Sequence, residues 1–417
     1  MAEGLPPLRP IDEAASPAQA TAGTSRPPDD ATLTFGQDVA EALLGLDTLY
    51  RGESEDGDGL VVLNMDTDGD LKGASIPSYE EAGQLFGDLR RRAAELPGSD
   101  RRTYYDQLCH SSLAFTRWRQ EGLSFTSQLG DFLHVPVEPT SAEEVGKLEE
   151  ALRRLLNGMG YSGELASQCS AWEERNRVPP DEVKGVLNGF LEEAWDRTEK
   201  RLLKIPAPKA DGMKVSAVSG VPFNARCNYL GRTIELNIGP TLTRPGLKHL
   251  AVHEGYPGHY LQFKLRETGY RTGLAPADVL LSVVNTASSS VFEGIADTGL
   301  AMIDWIDSED DEVQALLNRH RAAIGTGAAW RLHAMGQSKD EVAGWLRAQS
   351  LVGGDGWVDN RMAFISAPSR AVLIWSYWWG ELVVAPVWRR VPADRRMEFL
   401  RFLYGRMHSN ATVEMFH

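Results

Sequence analysis

Cysteine is scarce: Cys109, Cys169 and Cys227 are the only three in 417 residues, odd in number and far apart. That excludes a disulfide framework and a Cys-x-x-Cys metal site, and a reducing, cytoplasmic setting is expected. Net positive charge is also missing, with 43 Lys and Arg against 58 Asp and Glu and a formal charge of -15. Nucleic acid and anionic membrane need clustered cations, so neither is expected as a partner. No apolar run is unbroken: the longest, residues 279–303, is interrupted by Asn285, the serines at 288 to 290, Glu293 and Asp297, which argues against a bilayer span. The first residues show no basic segment followed by an apolar one, so no secretory signal is expected.

What is present is the composition of a soluble globular protein, 42% hydrophobic and 24% charged, with volume for a large core. Residues 1–30, rich in Pro, Ala, Ser and Asp without periodicity, read as a disordered tail. Residues 31–204 read as a helical N-terminal region. Apolar positions start one face at Phe35, Val39, Leu43 and Leu46, and amphipathic stretches recur at 79–96, 102–120, 142–156 and 181–203, with Pro and Gly at the breaks. His110 and His134 within it lack neighbouring ligand-type residues and read as structural. The acidic segments at 53–59 and 66–70 fail the calcium-loop template, Leu71 standing where Gly is required, and read as solvated turns around a short strand or helix at 60–63.

Residues 205–417 read as the region of the site, packed with 31–204 as one unit. Alternation at 232–238 predicts a half-buried strand, and 220–226 is expected to pair with it or form an edge. Thr243-Arg244-Pro245 opens a helix carrying His249 and His253. In His253-Glu254-Gly255-Tyr256-Pro257-Gly258-His259 a carboxylate and two imidazoles occupy seven residues with apolar flanks, and a metal dication would offset their burial. The spacing departs from His-Glu-x-x-His: position i+4 is Pro257, and the next imidazole stands at i+6. Pro257 lacks an N–H and Gly258 tolerates unusual angles, so a bulge or break there is expected to swing His259 back toward His253. The stretch 277–306 reads as one buried helix, apolar except for Glu293 and Asp297 one turn apart. Glu293 there needs a partner, either a metal or an arginine.

These residues, with Leu261-Gln262, resemble the His-Glu-x-x-Pro-Gly-His-His-Leu-Gln signature of the domain of unknown function 885 family. The resemblance implies a zincin-like protein related in architecture to helical metallocarboxypeptidases. The family's second His is Tyr260 here. Glu293-Gly294-Ile295-Ala296 is similar to its Glu-Gly-Trp-Ala segment, which implies Glu293 as third metal ligand. Further blocks imply His333 as a hydrogen-bond donor to a developing oxyanion and Tyr377 as a phenol beside the metal. The family's Lys and Ile after that Tyr are Trp378 and Trp379, suggesting an aromatic-walled pocket. The resemblance spans roughly residues 205–385.

The expectation is therefore a mainly α, zincin-like helical metallopeptidase architecture with a small hairpin or sheet beside the metal-site helix. One zinc ion, or another divalent metal, is held by His253, His259 and Glu293. Glu254 is the general base toward metal-bound water, and Tyr377 and His333 assist. The expected activity is hydrolysis of a peptide or small amide bond in a small-molecule or short-peptide substrate. A metal-dependent non-hydrolytic enzyme of biosynthesis and a non-catalytic ligand-binding descendant are the alternatives, and the sequence does not give the oligomeric state.

Overall fold

The computed structural model describes residues 28–54, 59–221 and 223–416. The expected tail lies outside these residues up to position 27, as does part of the first acidic segment. In chain order the elements are α1 (Asp30–Glu53), β1 (Val61–Asn64), α2 (Tyr79–Ala93), α3 (Ser99–Glu121), the single turn α4 (Phe125–Gln128), α5 (Ala142–Gly158), α6 (Leu165–Asn176) and α7 (Val183–Arg201). Three strands follow, β2 (Lys214–Val218), β3 (Ala225–Asn228) and β4 (Thr233–Asn237), then α8 (Arg244–Leu250), α9 (His259–Arg271), β5 (Leu281–Val283) and α10 (Ser289–Met302). The chain closes with α11 (Glu309–His333), α12 (Lys339–Gln349), α13 (Gly354–Ser366), α14 (Ile374–Arg390), α15 (Arg396–Tyr404) and α16 (Asn410–Glu414). The fold is mainly α, as expected.

Helix starts follow the capping side chains. Asp29 accepts from the Thr32 amide ahead of α1, and Ser78 from the Glu81 amide ahead of α2. Reciprocal Ser and acidic pairs, Ser141 with Glu144, Ser308 with Asp311 and Ser338 with Glu341, open α5, α11 and α12.

Two compact units, each built from separated stretches, share the described chain. The first comprises Glu138–Leu261 and Ile295–Trp378. In it α5 packs on α11 and α6, burying Leu148, Leu152 and Leu156, a stripe at four-residue spacing. Each such leucine contributes roughly 1.5–3 kcal/mol by leaving water. The sheet has the order β2-β4-β3, with β2 parallel and β3 antiparallel to the central β4, whose Ile234 and Leu236 are buried. The predicted strand is β4; its edge partner β3 starts only at Ala225 and so shares two residues with the segment 220–226 expected to pair. Neither β2 nor α6 was singled out in the sequence.

The second unit comprises residues 28–137, 262–294 and 379–416 among those described. It packs α2 on α3, with α1 and α16 alongside, and pairs β1 antiparallel with β5. The acidic turn after β1 is local structure, the Asp66 carboxylate accepting from the Leu71 amide at 2.7 Å. One expectation is corrected: 277–306 is not a single helix. A 3-10 turn at Ala277–Leu280 leads into β5, and α10 starts only at Ser289. The β-branched pair Val283-Val284 favours extended backbone, Asn285 adopts φ 58°, and the Thr286 hydroxyl donates to the Val283 carbonyl, which makes a turn where the periodicity suggested helix.

Candidate metal centre

The element that presents the histidines is anchored before it reaches them. Thr243 caps α8, accepting from the Gly246 amide at 3.1 Å and donating to Gln314 Oε1 at 2.7 Å. Lys248, 8% exposed, places Nζ 2.8 Å from both Asp307 and Asp311, over the Trp305 ring. Both contacts pin α8 to α11 and the segment just before it.

After Leu250 the backbone widens into a π turn, Ala251–Gly255, closed by the Tyr256 amide on the Ala251 carbonyl at 3.2 Å. Pro257, after a cis peptide bond, cannot extend the ladder, and the Gly258 amide turns back to the Val252 carbonyl at 3.0 Å. That return requires glycine, because a Cβ at 258 would lie 1.9 Å from the His253 carbonyl oxygen. Helix α9 then begins at His259. The extra residue of the π turn and the break at Pro-Gly bring the i+6 histidines together, their ring centroids 4.6 Å apart at 81°.

Helix α10 approaches this turn through Gly299, where a Cβ would meet Val252 Cγ1 at 2.6 Å and Pro257 Cδ at 3.3 Å. One unbroken stretch of α10 carries both Glu293 and Asp297, a turn apart. Ligand atoms of His253, His259 and Glu293 lie within 4.8 Å of one another. His253 Nδ1 stands 2.8 Å from Asp297 Oδ1. A carboxylate accepts, so Nδ1 carries the proton and the Nε2 lone pair is available to a cation, the arrangement by which carboxylates orient metal-binding histidines. Gln262 donates to the Phe292 carbonyl at 3.1 Å, tying α9 to α10 beside the two ligand positions. Two imidazoles and a carboxylate, two of the three groups buried, fit zinc or a similar divalent ion.

A second group shares His253: His249, His253 and Asp297. His249 Nε2 lies 3.7 Å from Asp297 Oδ1, and burial pushes its imidazole down to about 4 despite the carboxylate. His249 was not among the expected ligands, although His249 and His253 have the i, i+4 spacing that puts two imidazoles on one helix face.

Glu254 is 6% exposed on the π turn, which packs against β3. Burial, and then the Glu254 carboxylate, push the Cys227 thiol on β3 well above its usual range. Tyr260, in the place of the family's second His, is 2% exposed and packs against Tyr229 and Tyr256. Tyr377 meets the Phe364 ring edge-on at 6.2 Å, and its phenol is electrostatically coupled to Arg361. His333 Nε2 lies 2.6 Å from the Ile365 carbonyl and donates to it, so that nitrogen serves the backbone of α13. Trp378 is 4% exposed, Trp379 half-buried.

No protein-family profile and no curated protein matches the sequence. Solved structures share the fold. One is a candidate lipoprotein from Colwellia psychrerythraea, with TM-score 0.53 and 13% identity, covering 81% of this chain and 66% of that one. Another is a candidate lipoprotein of unknown function from Shewanella oneidensis, with TM-score 0.50 and 12% identity, covering 80% and 70%. This chain spans about two thirds of their length, and at such identity the likeness concerns the fold alone.

Proposed function

We propose that the chain is a zinc-dependent hydrolase of peptide or small amide bonds. The observation that carries the reading is the convergence of His253, His259 and Glu293 within 4.8 Å, with Asp297 fixing the His253 tautomer and Glu254 next in the chain. The motif's resemblance to the zincin-like family supports it. Bound there, zinc supplies a Lewis acid that polarises a carbonyl and lowers the pKa of water toward neutrality.

The protein's own groups do the rest. Glu254 takes a proton from the attacking water and returns it to the leaving amine, a transfer worth on the order of 10²–10⁴ in rate. The β3 edge, packed on the turn that carries Glu254, offers unpaired backbone groups to an extended substrate. Tyr377 is assigned to the developing oxyanion and His333, with Nε2 spent on Ile365, to positioning α13. Replacement of the family's His and Trp by Tyr260 and Ile295, both 2% exposed or less, favours a second reading, a non-hydrolytic reaction at the same metal. Product analysis against a peptide panel separates the two.

The test is metal content and turnover in two variants. Glu254→Gln keeps one equivalent of zinc and loses peptide cleavage, whereas Glu293→Ala loses the zinc. Metal below a tenth of an equivalent in the unaltered protein, or both variants matching it in metal and rate, would overturn the proposal.

A further inference from the structure

The zinc centre leaves one imidazole of its neighbourhood unused. His249 ends the helical run of α8, and its Nε2 stands 3.7 Å from Asp297 Oδ1 on α10, beyond hydrogen-bond reach. Neither ring nitrogen of His249 takes part in a hydrogen bond among the described residues. Its side chain is only 18% exposed, as is that of Asp297, so water does not fully replace the missing partner. Covering polar nitrogens without a partner costs free energy, and the residues around them are where a missing ligand is to be sought.

Asp297 Oδ1 has an imidazole nitrogen on each side, His253 Nδ1 at 2.8 Å and His249 Nε2 at 3.7 Å. The His249 and His253 rings are tilted at 41° with centroids 5.5 Å apart, and ligand atoms of all three residues lie within 4.8 Å of one another. Donors held at 2.0–2.1 Å by one zinc ion stand roughly 3–4 Å apart, so these separations suit a coordination shell with small shifts. All three residues belong to the first unit, His249 and His253 in Glu138–Leu261 and Asp297 in Ile295–Trp378.

We propose that His249 Nε2, Asp297 Oδ1 and His253 Nδ1 form a second site for a divalent transition ion, filled after the first. The inference rests on the zinc centre proposed above, with which it shares His253. Entry of the second ion displaces the Nδ1 proton to solvent, and the hydrogen bond to Asp297 gives way to coordination of both atoms. His253 then bridges as an imidazolate, Nε2 toward the first ion and Nδ1 toward the second. Two imidazole donors and a carboxylate suit zinc, copper or nickel over magnesium and calcium, which take oxygen ligands. Because a proton has to leave, the second site is the weaker, and stoichiometric zinc fills the first alone.

The experiment is equilibrium dialysis of the full chain against rising zinc, with bound metal measured by atomic emission. The unaltered protein is expected to hold one equivalent at stoichiometric zinc and a second in excess. His249→Ala loses the second and keeps the first. Glu293→Ala, without the first centre, still gains one equivalent in excess zinc. Should His249→Ala not fold, crystals of the unaltered protein soaked in excess zinc decide, by an anomalous peak between His249 and Asp297. A blank map there, or His249→Ala holding as much zinc as the unaltered protein in excess, overturns the proposal. If that single equivalent is the one Glu293→Ala removes, the zinc centre stands without its neighbour. A single equivalent removed by His249→Ala and kept by Glu293→Ala puts the ion at the second site and overturns the hydrolase reading instead.

Discussion

A side chain at position 258 would occupy the space of two carbonyl oxygens, those of His253 and Val252, at 1.9 and 2.4 Å. At this scale the site depends on single atoms, and Asp297 shows it for the imidazole. Its carboxylate receives the His253 Nδ1 proton at 2.8 Å and so sets Nε2 as the nitrogen that a bound cation would meet. Replacing Asp297 by Ala frees the ring to rotate and to shift tautomer. Zinc affinity is expected to fall about 10–100-fold, read by competition with a chromophoric chelator, while far-UV circular dichroism stays unchanged. An unchanged zinc affinity would remove Asp297 from the site. The sequence singles out His253, Glu254, His259 and Glu293 because charged or imidazole side chains in apolar surroundings need a partner, and the structure brings ligand atoms of His253, His259 and Glu293 within 4.8 Å of one another. The pairing of Asp297 with His253 was not legible, since 44 positions separate them. His249 was legible from its i, i+4 spacing to His253.

Among elements, α8 holds the site in register. Its Lys248 ammonium lies between Asp307 and Asp311, and both Lys248 and Asp311 are nearly inaccessible, at 8% and 5%. Lys248→Met removes the cation and leaves Asp311 buried with its charge uncompensated. The expected cost is about 3–5 kcal/mol, measured by urea unfolding. Lys248→Met with Asp311→Asn should recover a large part of that loss, and a loss in the double variant equal to the sum of the two single losses would show that the pair is not coupled. The helices of the first half and β4 followed from periodicity, because long amphipathic stretches and strict alternation each permit one face to be buried. The break at Pro257-Gly258 followed from those two residues, but the π turn before it, Ala251–Gly255, did not, since nothing in the local pattern distinguishes one extra residue per turn. The start of α10 was misread for a related reason: an apolar run looks alike as strand, turn and buried helix until Asn285 is seen with positive φ.

Across the whole molecule, stability carries the mark of Asp278. Burial, only partly opposed by Tyr105, Arg101 and Arg266, raises this carboxyl to about 6. The folded state therefore holds the proton more tightly than the unfolded chain. Below about pH 4 both states are protonated and nothing is lost, and between there and pH 6 the folded protein loses stability as pH rises. Asp278→Asn should match the unaltered protein at pH 4 and exceed it by about 3 kcal/mol at pH 7, by urea unfolding at each pH. A constant difference across that range would mean the carboxyl is not perturbed. The mainly helical class was readable from composition and pattern. The partition into two units was not, because it is decided by contacts between stretches far apart in sequence.

That partition bears on how the protein is made. A ribosome delivers residues in order, yet the first unit waits for 295–378 and the second for 379–416 before either has all its parts. A nascent chain ending at Leu261 would already hold both motif histidines, but neither Glu293 nor the helices that complete the two cores. Folding of each unit must then wait until its last stretch has been made. No contiguous fragment can stand in for either half.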